Sequence, residues 1–153
     1  MALSLNDTRI VPREGLYVYM PNAPEPHNCI VGASQTLKAG DIVTLDTTAT
    51  NNNCPVVKKA GVTDVIFGVV PFDALKDTYV ANDKISIAIE GSTIYKTASG
   101  AVTPMATLYF TAQGKVTATA TAGNSTLGTA NAYAGDGEFV QVKLKFGTTQ
   151  SAE

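Results

Sequence analysis

Ala134-Gly135-Asp136, followed by Gly137-Glu138-Phe139-Val140-Gln141-Val142-Lys143-Leu144, is the third appearance of one short phrase in this chain. It stands earlier as Ala39-Gly40-Asp41 before Ile42-Val43-Thr44-Leu45, and as Ala81-Asn82-Asp83 before Lys84-Ile85-Ser86-Ile87-Ala88-Ile89. Each copy joins a small residue, a residue that reaches positive φ cheaply, an aspartate and an alternating apolar run. Gly and Asn enter the left-handed region at low cost, and Asp hydrogen-bonds the backbone of its own turn. The phrase therefore predicts a tight turn that launches a strand, used three times. Aspartates in this setting close turns, so the three are not read as a metal cluster.

Working outward, the same grammar fills the chain from Ile30 onward. Candidate strands fall at 30–32, 42–46, 56–59, 65–71, 85–90, 93–98, 107–110, 115–119, 125–133 and 138–146. Glu90-Gly91-Ser92 and Gln113-Gly114 read as hairpin turns. Residues 72–77 offer one turn of helix at most. Short strands at this spacing predict an all-β fold, a small barrel or sandwich of antiparallel strands. Gly68 and Gly128 each interrupt an apolar strand, which predicts a bulge or a close backbone approach. The 20 threonines suit a pleated, half-wet surface, whereas the Thr-Ala alternation of 117–122 packs weakly and reads as an edge or loop.

Residues 1–28 differ, holding four of the seven prolines: Pro12, Pro21, Pro24 and Pro26. Proline fixes φ and removes a donor, so this segment reads as an extended N-terminal arm lying over its own body or a neighbour's, with Leu16 to Met20 as a short strand. The predicted organisation is an arm over 1–28, one β domain over 29–146 and a loose tail over 147–153. A chain of 153 residues is long enough for one core without staples.

The search for chemistry returns little. A formal charge of −2 and 16% charged residues give no basic patch, so direct nucleic-acid binding is not expected. No run reaches the roughly 18–20 apolar residues of a membrane span, and Asn6, Asp7 and Arg9 stand where a signal peptide needs an apolar core. A soluble protein made in a cytoplasm is expected. His27 is the sole histidine, and in an extended chain Cys29 lies about 7 Å away on the same face, too far for proton transfer. Cys29 and Cys54 fit no zinc or redox spacing and read as two small apolar residues; whether they meet is open. No cofactor, metal or catalytic residue is expected, and the chain does not read as an enzyme.

The order of motifs carries a resemblance. Ile66-Phe67-Gly68-Val69-Val70-Pro71, then Asp83-Lys84-Ile85-Ser86-Ile87-Ala88-Ile89-Glu90-Gly91, then Leu127-Gly128-Thr129-Ala130 and the closing Gly135-Asp136 strand resemble the capsid cement, or head decoration, proteins of tailed bacteriophages. The resemblance spans roughly 37–146. It departs at Asn82, where the family carries Gly, and in the longer proline-rich arm. It implies a structural virion protein on the outer capsid surface, made in the host bacterial cytoplasm. Such a protein bridges neighbouring capsomers of the major capsid protein. A homotrimer suits threefold lattice positions. Leu16, Tyr17, Tyr19 and Met20 of the arm are then the expected interface anchors. A receptor- or carbohydrate-binding β-module of the virion is the alternative, with Tyr95, Tyr109 and Tyr133 as an aromatic row. A biotinyl-type carrier is disfavoured because Lys96 lacks the methionine neighbours such a site carries.

Overall fold

The computed structural model describes residues 11–18, 23–50 and 53–148, and among them there is no helix. The strands are β1 (Tyr17–Val18), β2 (His27–Val31), β3 (Thr36–Lys38), β4 (Ile42–Leu45), β5 (Val56–Lys59), β6 (Gly68–Val69) and β7 (Thr78–Val80). They continue with β8 (Lys84–Ile87), β9 (Thr93–Thr97), β10 (Thr107–Phe110), β11 (Val116–Thr117), β12 (Ser125–Ala130) and β13 (Phe139–Thr148). The protein is all-β, built of curled, largely antiparallel sheets.

The first sheet has the order β6-β4-β5-β2-β8, with β2 and β5 parallel and the other neighbours antiparallel. Val69 and Ala88 exchange both backbone hydrogen bonds at 2.9 Å, so β6 meets the end of β8 and the sheet curls onto itself. The second sheet runs β1-β9-β13-β12-β10-β11. Its edge returns in the same way: the Ser99 amide donates to the Val116 carbonyl at 2.6 Å, and Ala98 bridges Val116. The pair β3–β7 contributes Leu37 and Tyr79 to the core inside the first sheet.

Period-two alternation explains how two cores coexist. Val43, Val70 and Ile87 belong to the first core, together with Cys29, Val31 and Val57. Their chain neighbours Ile42, Val69 and Ala88 point the opposite way and join the second core, with Ile94, Leu108, Leu127, Val142 and Leu144. A strand buried on both faces reads as an unbroken apolar run, which is what Ile66 to Val70 shows.

Both strand glycines sit at close approaches. A Cβ on Gly68 would run into the Ile87 side chain and the Ala88 carbonyl, at the seam where the first sheet closes. A Cβ on Gly128 would run into the Lys143 carbonyl, beside a register shift between Thr126 and Gly128.

The turns follow one scheme, broader than the phrase that exposed it. In 38–41 and 80–83 the acid's amide donates back to residue one, and its carboxylate accepts that residue's amide: Lys38 N to Asp41 at 2.8 Å, Val80 N to Asp83 at 2.9 Å. Gly40 and Asn82 take positive φ of 88° and 69°. Residues 61–64 repeat the closure through Asp64. In the third copy the register slips by two. Gly137 takes the positive φ, Glu138 closes the turn onto Gly135, and Asp136 instead accepts the Gly100 amide at 2.8 Å.

Three local expectations are corrected. Glu90-Gly91-Ser92 is no hairpin, because β8 and β9 lie in different sheets. Gly91 donates to Leu144, and Leu144 to Ser92, so the chain turns a corner. Residues 73–76 form a turn rather than helix, with the Asp73 carboxylate taking the Leu75 amide. β13 runs to Thr148 rather than 146, and β2 begins at His27 rather than Ile30.

Candidate interaction surface

The described part of the arm straps the protein's own body. β1 pairs with β9 through Tyr17–Ile94 and Val18–Thr93. Gly15 donates to the Tyr95 carbonyl at 2.9 Å, Tyr95 to Leu16 at 3.0 Å, and Phe72 to Gly15 at 3.0 Å. Gly15 is the residue this crossing demands: its φ is +74°, and a Cβ would sit 2.6 Å from the Val70 oxygen and 2.8 Å from the Gly40 nitrogen. Glu14, one residue before, accepts from the Lys96 ammonium at 2.7 Å, from the Thr97 amide at 2.5 Å and from the Thr97 hydroxyl. Lys96 is 2% exposed and also donates to the Gly40 carbonyl at 2.6 Å. The strap thus ties the second sheet's β9 to the 38–41 turn and the 70–72 loop of the first.

Of the four arm residues expected at an interface, Leu16 and Tyr17 are half-buried along this strap. Tyr17 packs against the second core, and burial pushes its phenol up to about 12. Tyr19 and Met20 lie outside the described residues. The Glu14–Lys96 latch was not foreseen. A buried lysine sits in an alternating strand like any other, and its partner is 82 positions away.

Among the described residues, no pairing suited to acid–base or nucleophilic work stands around His27. Its ring is exposed and packs edge-on to Phe67 at 5.6 Å. Cys29 is buried, its thiol pushed up to about 12 by burial and then by Cys54, and it donates to the His27 carbonyl at 3.6 Å. Cys54 is half-buried beside the Asn28 carbonyl at 3.4 Å, and both cysteines are free. Among the described residues no three His, Cys, Asp or Glu side chains gather as a ligand set.

The three tyrosines do not make one platform. Tyr95 on β9 and Tyr109 on β10 are both half-exposed, but β13 and β12 run between them. Three strand spacings separate them by about 14 Å. Tyr95 also takes a hydrogen bond from Gln141 at 3.1 Å. Tyr133 stands apart on a loop at the end of the second sheet, 64% exposed. Met105 is 80% exposed on the facing loop, and Phe139, 39% exposed, opens β13 at the same end.

Comparison with known proteins assigns this barrel-like body to a family. The profile of the phage cement proteins matches residues 24–144. The chain belongs to the phage cement protein family. It is therefore a structural protein of the phage capsid, associated with the virion. The matched span runs from before β2 into β13 and includes Lys96, but starts after the strap residues 13–18. Among solved structures it resembles the N base of the head fiber gp8.5 of bacteriophage phi29, at 12% identity and a TM-score of 0.54. The match covers 77% of this chain and 92% of that one. At that identity the likeness speaks for the fold alone. No curated protein matches.

Proposed function

We propose that this cement protein sits on the outer surface of a tailed-phage head, bridges neighbouring capsomers of the major capsid protein and so holds the shell against internal pressure. The observation that carries this is the family match over nearly all of the folded body. The architecture supports it. Both curled sheets return on themselves, so few long edges stay open to unwanted pairing, and the strap adds a cross-tie between them. Such a body acts as a rigid spacer rather than a catalyst.

We read the bound form as a homotrimer on threefold or quasi-threefold positions, where three weak contacts act together. Synthesis in the host cytoplasm goes with this role. The test is to add purified protein to heads that lack it and reconstruct them by electron microscopy. Threefold density outside the shell, spanning the junction of neighbouring capsomers, is expected. Density confined to a single capsomer's centre would overturn the bridging role. Density on the tail alone would overturn the head assignment and favour the receptor-binding alternative.

A further inference from the structure

We propose that the end of the molecule formed by residues 99–106 and 131–139 is the face this protein sets on the shell. Its partner there is a protein surface with an apolar hollow rimmed by Lys or Arg. The inference rests on the shell-binding reading above and adds to it the face and the chemistry of what it meets.

Register brings the two loops together. Val102 and Ala134 exchange backbone bonds at 2.8 and 3.0 Å, the Met105 amide donates to Ala130 at 2.8 Å, and Ala130 donates to Ala106 at 3.0 Å. Thr107 then pairs with Thr129, so the 103–106 turn is tied down on both sides, to Ala134 through Val102 and to Ala130 through Met105 and Ala106. This places the 103–106 turn that carries Met105 and the 131–138 loop that carries Tyr133 at the same end of the sheet.

Met105 is the informative residue. The Ala106 amide donates to the Thr103 carbonyl at 3.2 Å, with Pro104 second and Met105 third at φ 71°. That is the plan of a type II turn, whose third place belongs to Gly or Asn. Elsewhere among the described residues the positive-φ side chains are Asn82 and Ser34, small polar types. Here a large apolar side chain is held in a strained conformation and left 80% exposed. The fold gains nothing from it, since Gly would relieve the strain and remove no packing. A strained residue that the fold does not use points to a contact made elsewhere. Met adapts to an irregular hollow, and Tyr offers area with a polar tip.

Charge selects the partner. Across 97–106 and 130–139 the charged side chains are Asp136 and Glu138, both acidic and both exposed. A basic rim complements them. A second copy of this chain does not fit as well. The opposite end of the sheet carries Lys115 and Lys145, but the Glu90 carboxylate accepts the Phe146 amide there at 2.9 Å. Positive charge there is offset.

The test uses the whole protein and heads assembled without it. Met105→Gly with Tyr133→Ser is expected to weaken head binding by about tenfold or more while the free protein melts no lower than the parent. Asp136→Asn with Glu138→Gln keeps the turn acceptors and is expected to flatten the loss of binding with added salt. If the parent binds heads and both pairs of substitutions bind within about twofold of it, the face is wrong and the shell reading stands. If the parent does not bind heads, both fall. If the substitutions change only the protein's own mass by light scattering, the face joins copies of the chain, and this inference is overturned.

Discussion

At Glu14 one carboxylate meets three donors on β9, and one of them is a lysine with 2% of its surface exposed. Removing the charge leaves Lys96 buried against the Gly40 carbonyl alone. Glu14→Gln is expected to cost on the order of 2–3 kcal/mol in denaturant unfolding, below the fully buried case because Glu14 keeps 32% of its side chain in water. Lys96→Met, which removes the buried charge itself, should cost less than Glu14→Gln. The ionisable groups also set the pH limits. Burial raises Cys29 from 9.0 and Tyr17 from 10.0, each to about 12, so the unfolded chain loses these protons first. Stability should fall as pH rises from about 9 toward 12, and Cys29→Ala should remove part of that slope. Asp83 has the opposite sign. The Val80 amide, and then Lys76, hold its carboxyl below the ordinary 3.8, so its contribution is present above that value and lost as pH falls beneath it. Denaturant midpoints measured across pH check both limbs. Of these residues the sequence exposed Asp83, through its turn phrase. It concealed Glu14 and Lys96, because an ion pair formed 82 positions apart leaves no local pattern.

Turns and strands were legible where their cause is local. The alternation in β4, β8 and β13 and the launching phrases before them placed those strands within a few residues. Gly114 at φ +80° correctly marked the β10–β11 hairpin. Gly68 and Gly128 were rightly read as close approaches, and Gly128→Ala is expected to cost at least about 2 kcal/mol, since the obstacle is a backbone carbonyl that cannot swing aside. Thermal or chemical melting of that single variant decides it. What failed were the pairings. The turn at 89–92 has hairpin chemistry, yet its strands part company because Ala88 is claimed by Val69 and Ser92 by Leu144. β3 and β7, three residues each, are too short to show a period and exist because Leu37 and Tyr79 complete a core. Deleting residues 1–18 removes β1 and the latch together. The amide of Tyr95, bonded to Leu16, should then lose protection from hydrogen exchange.

As a whole the molecule is two curled sheets that share residues across their boundary. Ile42, Ile66, Val69 and Ala88 lie on or beside strands of the first sheet and pack in the core of the second. One sheet cannot melt without exposing the other, so circular dichroism and tyrosine fluorescence should trace the same single transition in urea. The fold class was readable from composition and turn phrases. The closure of each sheet was not, since it depends on single bridges at Val69–Ala88 and Ala98–Val116. The proline content of residues 1–28 gave no sign that Glu14 to Val18 cross β9. The exposed end at Met105 and Tyr133 escaped notice, because the strain at Met105 exists only once the turn is formed. Family membership makes this a structural protein of the phage capsid, and the proposed bridging role adds a mechanical claim: the shell should withstand more with the protein bound than without it. The decisive measurement is the temperature at which DNA-filled heads release their DNA, with the protein absent and then added back at saturation. A rise that follows occupancy and is lost with Glu14→Gln above that variant's own melting point is the result expected. An unchanged release temperature at full occupancy would contradict the cement function.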